Sequence, residues 1–313
     1  MIYTDMHTDT LTACSDGGFD LAGYEGQTNL IKLLKSHCAA QCFAIFTEGE
    51  SAAFNFEKYL SFYKQNMPKL KHIAAPIANY SDILSSEREG KVGVILTVEN
   101  LGFIGSNLEM IDRLKLEGVK MASLVWNNKN LLASPNLVFK NGLPLFENRV
   151  DEGLSSLGKQ AVERLDYNKI IIDISHLSDG GARDILNGRK IPAVASHSNA
   201  QSVLNVCRNL SDELIKKIAD CGGVIGINFC KDFLGAPAFA CVLKNIRHLI
   251  NIGGEDVIAI GSDFDGIPVN PDIPDCTRVP VLLDYLLENG LSCGTVEKFA
   301  HKNFLRVFKE VCG

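Results

Sequence analysis

The amino-acid sequence predicts an α/β protein that forms a (β/α)8 TIM barrel with extra C-terminal helices. Eight short segments rich in Val, Ile and other apolar residues recur along its 313 residues, and amphipathic segments lie between them. Most of the eight are too uniformly apolar for a sheet with one solvated face, which indicates strands buried on both faces. Eight predicted strands that alternate with helices favour a closed barrel over an open sheet.

The limits of the predicted elements follow from hydrophobic periodicity and turn residues. The predicted strands are residues 2–9, 41–47, 92–99, 119–126, 170–176, 191–197, 222–229 and 257–263. Amphipathic helices are predicted over residues 29–36, 107–118, 158–165 and 211–222. The last of these helices also carries end signals, because Ser211 suits the N-cap position and Gly222 or Gly223 can end it.

The tail from Pro280 to Val311 also has helical patterning, and we expect it to pack outside the barrel. We find no internal repeat, low-complexity tract or linker composition along the chain. Residues 1–313 are therefore expected to form one domain, which lies within the size range of large barrels.

Composition narrows the classes of partner. A net charge of −6 argues against nucleic acid or an anionic membrane as a partner. The N-terminal residues do not read as a secretory signal, and no apolar run approaches the roughly 18 residues of a membrane span. The ten cysteines form no Cys-x-x-Cys pair and are expected to be reduced thiols. We therefore expect a soluble cytoplasmic protein.

Ionisable residues gather where the predicted strands end. Three of the seven histidines and three acids occupy such positions: His7, Asp9, Glu99, His176, His197 and Asp263. The carboxyl ends of barrel strands meet at one face, which is where barrel active sites lie. Buried charges are costly unless they are paired or bound to metal, so simple packing is a poor explanation for this set.

Imidazole and carboxylate donors in this number indicate a site for two divalent ions. The residue types suit zinc, and six donors exceed what one tetrahedral ion needs. They fit two ions about 3.5–4 Å apart that share a carboxylate, and Glu99 is the natural bridge because it lies between the two histidine groups. A water between the ions would lose a proton near neutral pH, and Asp263 would be left to move a proton. The pattern predicts a two-metal hydrolase.

Seven stretches of the chain match a known family in order. They are D-M-H-T-D (5–9), T-V-E-N (97–100), D-I-S-H (173–176), A-S-H-S-N-A (195–200), C-R-N-L-S-D (207–212), G-G-V-I-G-I-N-F (222–229) and I-G-S-D-F-D-G (260–266). Through them the chain resembles the renal (membrane) dipeptidase family of zinc peptidases. The family has a (β/α)8 barrel with a binuclear zinc site and hydrolyses dipeptides, including some with a C-terminal D-residue.

The resemblance implies a role for each site residue. It implies one zinc on His7 and Asp9, a second on His176 and His197, and Glu99 as the bridge. It implies Asp263 as the acid that protonates the leaving amine after attack by a metal-bridging hydroxide. It also implies that Arg208 holds the free carboxylate of the substrate, a task that suits an arginine fork. Asp5 and Asp265 receive no direct role and are expected to support the ligands.

The chain departs from the family at the end of the fourth predicted strand. Secreted members carry a histidine there that stabilises the oxyanion, whereas this chain has its only tryptophan, Trp126. An indole donates one hydrogen bond and carries no positive charge, so oxyanion stabilisation would rest on zinc, Asn127 or Asn128. We expect Trp126 and Asn127 to line the substrate site, with a core position for Trp126 as the alternative. Cys230 stands where many relatives have tyrosine.

Two alternatives to a dipeptidase stay open. The same di-metal site could cleave another amide, such as an N-acyl amino acid or a lactam, because loops 48–65 and 230–240 would set the substrate. A non-catalytic barrel scaffold is the other alternative, but it would be expected to have lost a metal ligand or Asp263. A homodimer would agree with the family, although no residue of the sequence requires one.

Overall fold

The computed structural model describes residues 1–140, 143–145, 147 and 149–313. The strands within these residues are β1 (Tyr3–Asp5), β2 (Cys38–Phe46), β3 (Ala74–Pro76), β4 (Val92–Glu99), β5 (Met121–Ser123), β6 (Val138–Lys140), β7 (Leu143–Leu145), β8 (Ile171–Asp173), β9 (Ala193–Val194), β10 (Ile225–Ile227) and β11 (Ile258–Ile260). Each of the eight predicted segments overlaps one strand. The strand β2 begins three residues before its predicted start, and most of the others are shorter than predicted.

Eight parallel strands form the predicted barrel. Six of them pair in the order β1-β2-β4-β5-β8-β9, and β10 pairs with β11. The ring closes through two single bridges, one between Ala195 and Ile225 and one between Thr8 and Phe264. The strand β3 adds to the edge of β4, and β6 and β7 form a separate antiparallel hairpin. The predicted fold class is confirmed.

Helices follow most barrel strands. They are α1 (Thr10–Gly17), α2 (Leu30–Lys35), α3 (Ala52–Asn66), α4 (Tyr80–Arg88), α5 (Glu109–Leu116), α6 (Ser156–Tyr167), α7 (Asp179–Leu186), α8 (Asp212–Asp220), α9 (Lys231–Leu234), α10 (Ala238–Gly253), α11 (Val279–Glu288), α12 (Cys293–Glu297) and α13 (Asn303–Cys312). The predicted N-cap is correct, since the Ser211 side chain accepts a hydrogen bond from the Leu214 amide. Among the described residues no helix has the length and apolarity needed to cross a membrane.

The C-terminal helix α13 closes the amino end of the barrel. Its buried face, which includes Phe304 and Phe308, packs in one cluster with apolar residues that lie in or directly beside each of the eight barrel strands. The Cys312 thiol lies near the carbonyl oxygen of Lys120, just before β5, and the Asn303 amide donates to the Ile258 carbonyl in β11. The helix therefore lies outside the barrel as predicted, and its position leaves the opposite end as the open one.

Close packing of β9, β10 and β11 requires glycine at two positions. A Cβ atom on either Gly226 or Gly261 would overlap the carbonyl oxygen of Ser196. We expect Gly261→Ala to lower the free energy of unfolding by about 1–3 kcal/mol, because overpacking forces the backbone apart. Urea unfolding would measure the change. Gly23→Ala is the control, since a Cβ there has nothing within 4 Å; equal stability of the two variants would contradict the prediction.

Candidate active site

The open end of the barrel holds a cavity of about 410 Å³. Seven of the nine site residues predicted from the sequence line this cavity: Asp9, Glu99, Trp126, Asn127, His176, Arg208 and Asp263. The other two predicted residues, His7 and His197, are buried directly behind this lining, with ring centroids 3.9 Å apart. The structure thus brings all nine predicted residues to one place, as expected for side chains that follow parallel barrel strands.

Glu99 lies at the centre of the cluster, at the end of β4. Its Oε2 atom is 3.5 Å from Nε2 of His7. Its Oε1 atom faces the other way, 2.9 Å from Nε2 of His176 and 3.6 Å from Nε2 of His197. One carboxyl group therefore faces histidines from three strands, and each of its oxygens has a different set of neighbours.

On the side of His7, two more carboxyl groups approach. Nε2 of His7 is 3.5 Å from Oδ2 of Asp9 and 3.8 Å from Oδ1 of Asp263. Nε2 of His7 and Oδ1 of Asp9 are buried, and within the described part of the chain they have no hydrogen-bond partner. Buried polar atoms without a hydrogen-bond partner are rare because they are costly in free energy. A bound cation would give these two atoms a partner.

The donor set fits divalent metal on geometric grounds as well. His7, Glu99 and His197 offer ligand atoms that all lie within 4.8 Å of one another, and so do His7, Asp9 and Asp263. Nitrogen and carboxylate oxygen in such closely spaced groups are the ligands that zinc and similar ions take in hydrolases. The residues present therefore fit a metal centre.

In two of the histidines, the ring nitrogen that faces away from Glu99, Nδ1, has a hydrogen-bonding oxygen as its neighbour. Nδ1 of His176 donates to Oδ1 of Asn127 at 2.9 Å. Nδ1 of His197 lies 2.7 Å from Oγ of Ser196. In both rings a proton on Nδ1 leaves the lone pair of Nε2 directed toward Glu99, which is the tautomer that a metal ligand needs.

Electrostatics divide the histidines into two kinds. Burial opposes protonation of His7, but the charge of Glu99 and the contact with Asp9 outweigh it and hold its pKa well above the ordinary value. Burial, with Arg208 second, lowers the pKa of His176 to about 4. Burial and the neighbouring His7 lower the pKa of His197 well below its ordinary value. Without a metal ion, His176 and His197 are thus neutral near pH 7, whereas His7 would have to release its proton to bind one.

Asp263 follows β11 and is held by an amide from β10. Nδ2 of Asn228 donates to Oδ2 of Asp263 at 2.8 Å, and the backbone amide of Cys230 fixes the orientation of Asn228 by donating to its Oδ1. Burial, reinforced by Asp9 and Glu99 and opposed by His7, raises the pKa of Asp263 to about 7. A carboxyl group with this pKa can both hold and release a proton near neutral pH.

This raised pKa predicts a pH-dependent stability of the metal-free protein. Because the pKa of Asp263 rises from 3.8 to about 7 on folding, its contribution to stability is complete below pH 3.8 and is lost as the pH rises through 7. We therefore expect Asp263→Asn, relative to wild type, to gain a few kcal/mol in free energy of unfolding between pH 4 and 8.

Urea unfolding of chelator-treated protein at several pH values would measure this difference. The exposed Asp284, changed to Asn, is the matched control and should track wild type across the range. A stability difference between Asp263→Asn and wild type that stays constant from pH 4 to 8 would contradict the expectation.

Arg208 borders the cluster of predicted metal ligands at His176. The guanidinium is buried, and its Nη2 lies 2.8 Å from Nε2 of His176. It also lies over the ring of Phe233 at 5.5 Å from the centroid. A buried arginine that faces a cavity next to a metal cluster can pair with an anionic group of a bound molecule.

Trp126 and the two following asparagines take different positions. Trp126 is half-buried and lines the cavity, with ring contacts to Phe46 at 4.9 Å and to His176 at 6.1 Å. Asn127 contacts His176 as described, whereas the Asn128 amide donates to the Glu48 carboxyl at the exposed rim. Of the two asparagines suggested for oxyanion stabilisation, Asn127 therefore lies in the cavity and Asn128 contacts the rim.

The two acids without an assigned role, buried Asp5 and partly buried Asp265, both accept several hydrogen bonds. Asp5 accepts from the backbone amides of His7 and Ser262 and from the Ser262 hydroxyl. Asp265 accepts from Thr10 Oγ1 at 2.5 Å and from the amides of Gln27 and Thr28.

Two residues that contact site residues, Asn228 and Ser196, were not predicted as site residues. Both lie within the matched motifs, and the motifs were the only signal for them in the sequence.

Backbone conformation also marks the site. His176, Asp263, Asp265 and Asn100 adopt left-handed backbone conformations, with φ between 64° and 73°. Non-glycine residues rarely adopt these angles, and they cluster at functional sites where the surrounding contacts hold them. Each of these positions follows a barrel strand on the side of the candidate site.

A closed barrel with nitrogen and oxygen donors at the carboxyl ends of its strands is the architecture of a metal-dependent hydrolase. Two solved structures share this fold over nearly their whole length. A metallopeptidase from Rhodobacter sphaeroides with a phosphinate mimic of the dipeptide L-Ala-D-Ala superposes with a TM-score of 0.91 at 23% identity, covering 99% of both chains. The M19 metallopeptidase dipeptidase AC gives 0.92 at 24% identity, covering 100% of this chain and 99% of that one.

A family model for membrane dipeptidase (peptidase family M19) matches residues 1–312, and the chain therefore belongs to this family. An uncharacterized dipeptidase of Schizosaccharomyces pombe is 25% identical over 309 residues, 92% of this chain and 73% of the relative. An uncharacterized Klebsiella pneumoniae protein from the pqqA 5′ region is 32% identical over 232 residues, 72% of this chain and 84% of the relative. The chain is thus a metallo-dipeptidase, as the motifs predicted.

Proposed function

We propose that this chain hydrolyses dipeptides, including those with a C-terminal D-residue, with two zinc ions. The observation that carries the proposal is the position of Glu99, whose two oxygens face His7 on one side and His176 and His197 on the other. The phosphinate mimic of L-Ala-D-Ala bound by the Rhodobacter metallopeptidase supports the inclusion of D-residues.

The ligands divide into two sets that share Glu99. His7 and Asp9 would hold one ion, and His176 and His197 the other. His7 belongs to both donor groups, but its Nε2 atom can bind only one ion. Its position 3.5 Å from Oδ2 of Asp9 and 3.5 Å from Oε2 of Glu99 supports the ion that it would share with Asp9. The bound ions would supply an activated hydroxide and polarise the scissile carbonyl.

Arg208 and Asp263 would both act on the C-terminal residue of the substrate, Arg208 on its carboxylate and Asp263 on its leaving amine. The Arg208 fork pairs with the substrate carboxylate and sets the distance from that carboxylate to the metal cluster. Asp263, whose Oδ1 atom faces His7 while Asn228 holds Oδ2, protonates the leaving amine. Among the described residues that line the cavity, Arg208 is the only lysine or arginine, which favours a substrate whose free carboxylate is one residue from the scissile bond, as in a dipeptide.

Trp126 and Asn127 would shape the substrate side of the cavity. The indole covers the space between Phe46 and His176, so it narrows the cavity next to the metal ligands. The Asn127 oxygen is bonded to His176, which leaves its NH₂ group as the donor available to substrate. This arrangement replaces the cationic histidine of secreted relatives with neutral groups.

The test is hydrolysis of a matched panel by protein reconstituted with zinc. The panel contains an L,L dipeptide, its L,D isomer, the C-terminal amide of the first and one N-acetyl amino acid, with metal counted in the same sample. We expect about two zincs per chain and cleavage of both free dipeptides. Cleavage of the N-acetyl amino acid alone would favour the other-amide alternative, and two bound zincs with no cleavage at all would refute the dipeptidase proposal.

A further inference from the structure

A buried carboxyl group ties β8 to β9 directly behind the metal cluster. Oδ1 of Asp173 accepts hydrogen bonds from the backbone amide of Ser175 at 2.9 Å and from that of Ser196 at 2.8 Å. Its Oδ2 accepts from the Ser196 hydroxyl at 2.5 Å. The Asp173 carboxylate thus accepts one hydrogen bond from Ser175, two residues further along its own chain. It accepts two more from Ser196, one from the backbone amide and one from the hydroxyl.

The same pattern occurs between β1 and β11. Oδ1 of Asp5 accepts from the amide of His7 at 3.3 Å and from that of Ser262 at 2.9 Å. Its Oδ2 accepts from the Ser262 hydroxyl at 2.5 Å. In each pair the serine immediately precedes a site residue, since Ser196 precedes His197 and Ser262 precedes Asp263. We call these two arrangements the Asp173–Ser196 pair and the Asp5–Ser262 pair.

The two pairs differ in the group that donates a hydrogen bond to the serine oxygen. The Ser196 hydroxyl donates its hydrogen bond to Asp173, which leaves its oxygen to act as an acceptor toward Nδ1 of His197, 2.7 Å away. The Ser262 oxygen accepts from the backbone amide of Phe264 at 3.2 Å. Only the first pair, among the described residues, connects its carboxyl group through a serine to the ring of a predicted metal ligand.

We infer that Asp173 and Ser196 are positioning residues that hold His197 in the tautomer with Nδ1 protonated and Nε2 free for the second metal ion. The Asp173 carboxyl orients the Ser196 hydroxyl, and this leaves the serine oxygen no role toward His197 except as an acceptor. His197 and Ser196 are fully buried, so water cannot replace the bond. The inference rests on the proposed two-metal site.

The Asp5–Ser262 pair provides the matched control. Ser196→Ala and Ser262→Ala each remove one hydroxyl from a buried carboxyl group, so both should lower the thermal stability to a similar degree. Partners of ligand histidines typically contribute 10- to 100-fold to metal affinity. We expect Ser196→Ala to weaken one of two zinc-binding steps by that factor, and Ser262→Ala to change both steps by less than about threefold.

Zinc affinity would be measured by titrating metal-free protein with Zn²⁺ against a chromophoric chelator. Equal weakening by the two variants would show that Ser196 acts only through the backbone and would overturn the inference. Unchanged affinity in Ser196→Ala would overturn it as well. Wild-type protein that binds fewer than two zincs would instead refute the two-metal proposal, and the inference would fall with it.

A measurement on the wild type keeps the inference testable if Ser196→Ala fails to fold. In zinc-loaded protein labelled with ¹⁵N-histidine, the imidazole Nδ1 of His197 should carry a slowly exchanging proton with a nuclear Overhauser contact to the Ser196 Hβ protons. A His197 ring whose Nδ1 carries no proton, or whose proton exchanges as fast as that of an exposed histidine, would overturn the inference.

Discussion

Glu99→Gln should abolish most of the dipeptidase activity and reduce the zinc content from about two ions per chain to one. Glutamine has nearly the same shape, but it offers one oxygen where Glu99 presents one oxygen to each side of the cluster. Loss of an ion removes several kcal/mol of transition-state stabilisation, so kcat should fall by about three orders of magnitude or more. Steady-state kinetics and metal analysis of the same sample would measure both effects.

The control for this prediction is Glu109→Gln, which makes the same chemical change at an exposed position in the first turn of α5. Its kcat and zinc content should equal those of wild type. Should Glu99→Gln keep two zincs and a kcat within tenfold of wild type, the bridging role would be wrong and the two ions would have to be held separately.

Arg208→Leu should raise KM for dipeptides by about 100-fold, since hydrogen bonds to a charged partner contribute about 1.5–3 kcal/mol each. Within the described part of the chain no other lysine or arginine lines the cavity, so none would replace Arg208 beside the free carboxylate of the substrate. Arg208→Lys keeps the charge and loses the planar fork, so its KM should lie between those of wild type and Arg208→Leu.

Substrate chemistry gives the control for Arg208. A dipeptide with a C-terminal amide lacks the carboxylate, so its kcat/KM should be low in wild type and nearly unchanged in Arg208→Leu. Zinc content must be measured as well, because Nη2 of Arg208 lies against Nε2 of His176. An equal loss toward the dipeptide and its amide at full zinc occupancy would assign Arg208 to the support of His176 and not to the carboxylate.

The barrel could be predicted because its strands leave a strong signal. Strands buried on both faces are apolar runs, and β4 spans the predicted residues 92–99. Most other strands are shorter than predicted because the polar residues at their ends leave the sheet: His176 follows β8 and turns away with a φ of 69°. Periodicity shows where a strand lies, whereas its last residue depends on these turns.

The helix α10 was not predicted, although its 16 residues make it the longest helix among those described. It contains Val242, Ile246, Ile250 and Ile252, whose β-branched side chains disfavour helices locally. Its helical state depends on packing against the barrel, which buries Val242 and Ile246 completely. A local pattern does not contain that information.

The donor atoms of the site could be predicted from residue type, but their supporting bonds could not. His7, Glu99 and Asp263 stand at the ends of predicted strands, and a barrel brings such ends together. The bond from Asn228 to Asp263 joins residues 35 positions apart and depends on the orientation of one amide. Asp173 and Ser196 are separated by 23 positions, and neither residue type alone indicates the other.

The bridge between Thr8 and Phe264 has a consequence for how the chain acquires its shape during synthesis. The strand β1 emerges from the ribosome before the other barrel strands, but its neighbour on one side, β11, is about 250 residues further along the chain. At about 5–20 residues per second, β1 would wait roughly 10–50 s before β11 could pair with it. The helix α13, which covers the amino end of the same barrel, emerges later still. His7 and Asp9 are therefore among the first site residues to be translated and among the last to reach their final neighbours.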